Sequence, residues 1–184
     1  MNGILKGVRP LDYVLAGVMT VLGALLMVEN IVSPADADLT HPVSTHSWVI
    51  LPVYLLVTLP ILWRRRHILA VIGATIAASA VHLLAFDWLT RCGAALPLSF
   101  ALAYAVARFA GNIRNQLIGV AGIVVLQVVV LFHDSSIGPV RDGLVIALPG
   151  AALFYGIGLL VQNRISSKQQ SAAAVVPVAE RTAA

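Results

Sequence analysis

Charge is scarce in this sequence. Twelve Lys and Arg and eight Asp and Glu make up only 11% of its 184 residues, while 59% are hydrophobic and the mean hydropathy is +0.92. A soluble domain carries roughly 25% charged residues, so this chain cannot cover a water-facing globule. Cysteine is nearly absent as well: Cys92 stands alone, which excludes an intrachain disulfide and leaves the redox compartment open. Soluble-enzyme signatures are missing too, with no Gly-rich phosphate loop, nucleophile elbow or His-Glu-x-x-His helix. At depth the apolar runs offer only Thr20, Thr75, Ser79, Ser99 and Gln127, polar groups that usually bond a preceding turn or join helices. A non-catalytic protein is expected.

What the chain does have is length of apolar run. Six hydrophobic blocks cover about 12–32, 47–63, 67–86, 92–110, 115–133 and 143–161, and a helix needs about 17–25 residues to cross a bilayer. None alternates apolar with polar, so none reads as a barrel strand. The expected fold is all-α: a polytopic bundle of six transmembrane helices over 1–163, followed by a disordered cytoplasmic tail over 164–184. The second block is short, but Trp48 and Trp63 bracket it about 22 Å apart as interfacial anchors would. Lys6 and Arg9 before the first block resemble a signal-peptide start. That block is too long, and Glu29-Asn-Ile-Val-Ser33 lacks a small-x-small cleavage pattern, so an uncleaved helix is expected. Pro60, Pro97 and Pro149 fall within helices and should kink them.

The basic residues set an orientation. Placing both termini, the 64–66 turn and the 108–114 turn in the cytoplasm puts Lys6, Arg9, Arg64, Arg65, Arg66, Arg108, Arg114, Arg164, Lys168 and Arg181 inside. Only Arg91 and Arg141 remain outside. The Arg64-Arg65-Arg66 triplet is thus a topology signal in a cell-membrane protein, and nucleic acid is not an expected partner despite a pI near 9.7.

The exterior end collects chemistry. His41, His46, His82 and His133 fall there with Asp36, Asp38, Asp87, Asp134, Arg91 and Cys92. Imidazole and carboxylate suit a divalent transition metal, for which His41 and His46 in the long first loop are the candidate ligands if that loop folds over the bundle. His82, Asp87, Arg91, Cys92 and His133 form a second candidate polar site, with a local Asp87–Arg91 pair expected. Ordinary interfacial polarity explains the same residues without a ligand. Gln127 should face another helix. Ala70, Ala74 and Ala78, with Gly73 and Ala77 beside them, make a small-residue stripe, and Ala101 and Ala105 a second set, suited to close packing within the bundle, or to a homodimer.

Three stretches carry a family resemblance: Arg9-Pro-Leu-Asp-Tyr-Val-Leu-Ala-Gly-Val, Leu59-Pro-Ile-Leu-Trp-Arg-Arg-Arg66 and Leu102-Ala-Tyr-Ala-Val-Ala-Arg108. Together they resemble the N-terminal membrane (sensor) domain of actinobacterial two-component sensor histidine kinases. In that family the last helix leads into a coiled coil and a kinase core. Here no phosphoacceptor histidine in a helical context and no ATP-binding glycine box follow, so kinase activity is not carried over. The resemblance implies a stand-alone sensory or interaction module signalling to a separately encoded protein. The alternative is a small membrane transport protein, similar in size to the substrate-binding subunits of energy-coupling-factor vitamin transporters.

Overall fold

The computed structural model describes residues 8–33 and 39–182, with side chains described as far as residue 170. The described chain is helical: α1 (Pro10–Val32), α2 (Ile50–Thr58) continued by a 3₁₀ segment (Leu59–Trp63), α3 (Ile68–Phe86), α4 (Cys92–Phe109), α5 (Ile113–Leu131) and α6 (Val140–Thr182). Five of these are long and apolar enough to cross a membrane; Ile50–Trp63 is shorter. The hydrophobic blocks therefore coincide with helices to within a few residues at most ends.

The largest departure is α6. The apolar block was expected to end near 161 and leave a disordered tail, but the helix continues to Thr182. Alanine and glutamine beyond residue 163 favour helix, and no glycine or proline interrupts the stretch before Pro177. The three prolines also act unequally. α4 and α6 run through Pro97 and Pro149 as continuous elements, whereas the second segment changes to 3₁₀ winding at Leu59-Pro60. Proline lacks the N–H that would continue the α ladder, and the tighter winding has a greater rise per residue.

α1 and the second segment lie antiparallel, and the residues flanking the second segment extend the contact toward both ends of α1. Asp12 meets Arg64 at one end, the Thr20 and Thr58 hydroxyls are 3.1 Å apart in the middle, and the Asn30 carbonyl meets His46 Nδ1 at 2.8 Å at the other. The two ends of the bundle are called below the arginine end and the histidine end. α4 is the most enclosed helix and packs on α1, α5 and α6. Gln127 of α5 joins its neighbours, donating to Ser99 Oγ of α4 at 3.1 Å and to the Ala147 carbonyl of α6 at 3.0 Å. At the arginine end Gly111, at φ +75°, closes α4, and Asn112 Oδ1 caps α5 by accepting the Asn115 N–H at 2.9 Å.

The small-residue stripe does not pack inside the bundle. Ala70, Gly73, Ala74 and Ala77 are exposed, and a Cβ added at Gly73 meets nothing within 4 Å. Only Ala78 turns partly inward. Close helix approach occurs elsewhere: a Cβ added at Gly158 of α6 would lie 2.7 Å from the Tyr104 carbonyl oxygen and 2.7 Å from Ala107 Cβ of α4. Gly158→Ala should accordingly separate α4 from α6 and lower stability by about 1–3 kcal/mol, while Ala74→Leu changes the monomer by about 0.5 kcal/mol or less. Thermal unfolding in nanodiscs checks the order; a larger loss for Ala74→Leu would contradict this packing.

Candidate functional site

At the histidine end the first loop folds across the bundle. The Ser44 N–H donates to the Trp88 carbonyl at 2.9 Å, and the Trp88 N–H returns to Ser44 Oγ at 3.1 Å. The His41 N–H donates to the Ser135 carbonyl at 3.2 Å. Asn30, buried at the end of α1, pairs with the backbone of Thr90 in both directions at 2.8 Å. Four chain segments thus meet: the end of α1, the first loop, the α3–α4 turn and the α5–α6 turn.

Beneath them lies Arg91, only 2% exposed. Its Nε donates to His82 Nδ1 at 3.2 Å, and its terminal nitrogens donate to the carbonyls of His133 at 3.1 Å, Leu89 at 3.5 Å and Asp87 at 2.5 Å. Two of those acceptors have unusual backbones. Asp87 (φ +50°) and His133 (φ +54°) are the two described non-glycine residues with positive φ. Such conformations cost about 1–3 kcal/mol each and persist where the surroundings over-determine them; here each turns its carbonyl onto the guanidinium. Burial draws Arg91 down to about 10, opposed chiefly by nearby Asp134, so it remains a cation at neutral pH.

Asp134, 1% exposed, supplies the compensating charge. Its Oδ2 accepts the Arg91 and Cys92 N–H groups at 2.8 and 2.7 Å, capping α4, where a carboxylate also meets the positive end of the helix dipole. Its Oδ1 accepts the Ser136 N–H and hydroxyl at 3.0 and 2.6 Å. Outside the core, His133 Nδ1 lies 2.5 Å from Asp87 Oδ1. The His133 ring stacks between Trp88 and Phe132, and His41 packs on Trp88 with centroids 4.0 Å apart. A hollow of about 420 Å³ opens beside this stack, lined in part by Thr40, His41, Trp88, Phe132, His133 and Pro139.

Of the residues singled out in the sequence, His82, Asp87, Arg91 and His133 come together, and Cys92 joins them through its N–H on Asp134, with Sγ 3.3 Å from Ser136 Oγ. The expected Asp87–Arg91 side-chain pair does not form: Arg91 takes the Asp87 carbonyl, and the Asp87 carboxylate turns to His133. His41 and His46 are engaged separately, one on Trp88 and the other on the Asn30 carbonyl. Among the described residues no group of three or more His, Cys, Asp or Glu is arranged to hold a metal ion. Asp36 and Asp38 lie outside the described residues. Sequence reasoning missed Asn30 and the capping role of Asp134; a polar side chain at the very end of an apolar run was the signal available for both.

The arginine end has the opposite arrangement. Asp12, fully buried in the first turn of α1, accepts from Arg64 and Arg65, with the closest contact of each at 2.8 Å. Its Oδ2 also accepts the Arg9 N–H at 3.0 Å. Arg65 and Arg108 both lie over the Phe109 ring. Two of the three triplet arginines therefore hold α1 as well as marking the turn.

These features define a multi-pass helical membrane protein with a buried polar cluster at one end. No protein-family model, curated protein or solved structure is significantly similar to the chain.

Asp134→Ala should strip the α4 cap and remove the nearest offset to the buried guanidinium, a loss of about 1–3 kcal/mol. Asp87→Asn, which touches only a half-exposed pair, should cost about 1 kcal/mol or less. Equal shifts of the unfolding midpoint would contradict the assignment of Asp134 as the compensating charge.

Proposed function

We propose that the chain is a six-span cell-membrane protein with both termini in the cytoplasm, acting as a non-catalytic sensory or interaction module on a separately encoded signalling protein. The observation that carries the module reading is α6. It starts at the turn held by Asp134 and runs unbroken for 43 residues, about 64 Å at 1.5 Å per residue, against a hydrocarbon core of about 30 Å. One continuous helix therefore links the histidine-end cluster to the polar stretch Asn163-Arg-Ile-Ser-Ser-Lys168. That arrangement is what the resemblance to histidine-kinase membrane domains implies for signal output.

The hollow beside His41, Trp88 and His133 is the natural place for a stimulus to act. The exposed Ala70–Gly73–Ala74–Ala77 face offers close approach to a second copy or a partner helix.

The span count rests on the second segment. Its nine α and five 3₁₀ residues extend about 24 Å, and contacts from its two flanks and its interior, His46 with Asn30, Arg64 with Asp12 and Thr58 with Thr20, fall in order along α1. Alkaline phosphatase fused near Ser44 should be active, and fusions after Arg66 and after Gln162 inactive. An active fusion after Arg66 would mean that the second segment does not cross, and a fully reversed pattern would overturn the orientation.

A further inference from the structure

Tyr54 of α2 and Ser79 and His82 of α3 are 2%, 5% and 0% exposed. Tyr54 Oη, Ser79 Oγ and His82 Nε2 each lack a hydrogen-bond partner. All three residues line one small cavity of about 10 Å³, closed by Val57, Ala95, Val130 and Arg91. Buried polar groups in proteins are rarely left unpaired, and hydrocarbon offers no substitute partner. A space of about this size holds one water molecule when polar atoms surround it.

We propose that this cavity is a binding site for a single structural water that joins α2 to α3 beneath Arg91. The hydrogen-bond count works. Arg91 Nε can only donate, so His82 Nδ1 is an acceptor and the ring proton sits on Nε2. Water accepts that Nε2–H and has one acceptor and two donors left for the Tyr54 and Ser79 hydroxyls. Each hydroxyl can donate or accept, so all three orphan atoms are satisfied together. The imidazole then stands between a fixed cation and a bound water, with the Tyr54 ring edge-on at 5.2 Å and Phe86 at 5.0 Å holding its plane. Direct contact among the three groups is not the alternative, because none lies within bonding geometry of another. The competing arrangement is a dry cavity in which His82 Nε2–H is satisfied by the Ile50 carbonyl already beside it.

X-ray radiolytic labelling of the full chain in nanodiscs tests this, since a bound water generates hydroxyl radicals beside its ligands. Tyr54 should take up label despite its burial, exchanging slowly when the bulk is H₂¹⁸O. Ser79→Val, which fills the cavity, should abolish label at Tyr54 and leave exposed Trp48 unchanged. No label at Tyr54 in the parent, or equal label in parent and variant, overturns the site. Should Ser79→Val not fold, ¹⁵N solid-state NMR of the parent decides: a water cross-peak to the His82 Nε2–H, assigned by its loss in His82→Gln, supports the water. An Nε2–H without that cross-peak overturns it.

Discussion

A guanidinium withdrawn from water has to find its acceptors within the protein, and the histidine end is organised around that requirement. Arg91 gathers carbonyls from the α3–α4 and α5–α6 turns and a ring nitrogen from α3. Carbonyls can converge on one point only if both turns bend unusually, which gives the positive φ of Asp87 and His133 a physical reason. Asp134 then does two things with one carboxylate: it offsets the buried charge and caps α4. The backbone contact between Leu89 and Asp134 follows from this convergence, with N–H to carbonyl bonds linking Leu89 to His133 and Ser135.

The two ends solve the same problem with charges of opposite sign. At one end a buried acid, Asp12, is held by two arginines that keep partial access to water. At the other a buried cation is held by dipoles and one buried acid. Burying a charge is costly unless its partners are well placed, so each cluster favours one arrangement of the segments it joins. Between them the bundle is held mainly by apolar contact, with the Thr20–Thr58 and Gln127–Ser99 links as polar exceptions. The arginine-end cluster fixes α1 to the second segment, whereas the histidine-end cluster lies at the origin of α6.

Most of the helix layout was legible because hydropathy reports on solvent, and lipid imposes long apolar runs that end where charge begins. The gathering of His82, Asp87, Arg91 and His133 at one end was legible for the same reason. Partner choice was not. Asp87 and Arg91 are four residues apart and read as a pair, yet Asp87 finds His133 46 residues away and Arg91 finds the Asp87 carbonyl. Hydropathy also says nothing of which face turns inward, so the Ala70–Ala77 face, which reads as packing surface, lies outside, and Gly158 makes the close approach. The extent of α6 was not legible because its polar continuation reads as a solvated tail in the sequence.

The central claim is that Arg91 holds the two turns together. Amide hydrogen exchange of the parent and Arg91→Leu in nanodiscs tests it directly. The account predicts faster exchange at Ser44, Leu89, Ser135 and the first turn of α6, with Asp12 and the 64–66 turn unchanged. Unchanged protection at Leu89 and Ser135 in a folded Arg91→Leu variant would contradict it.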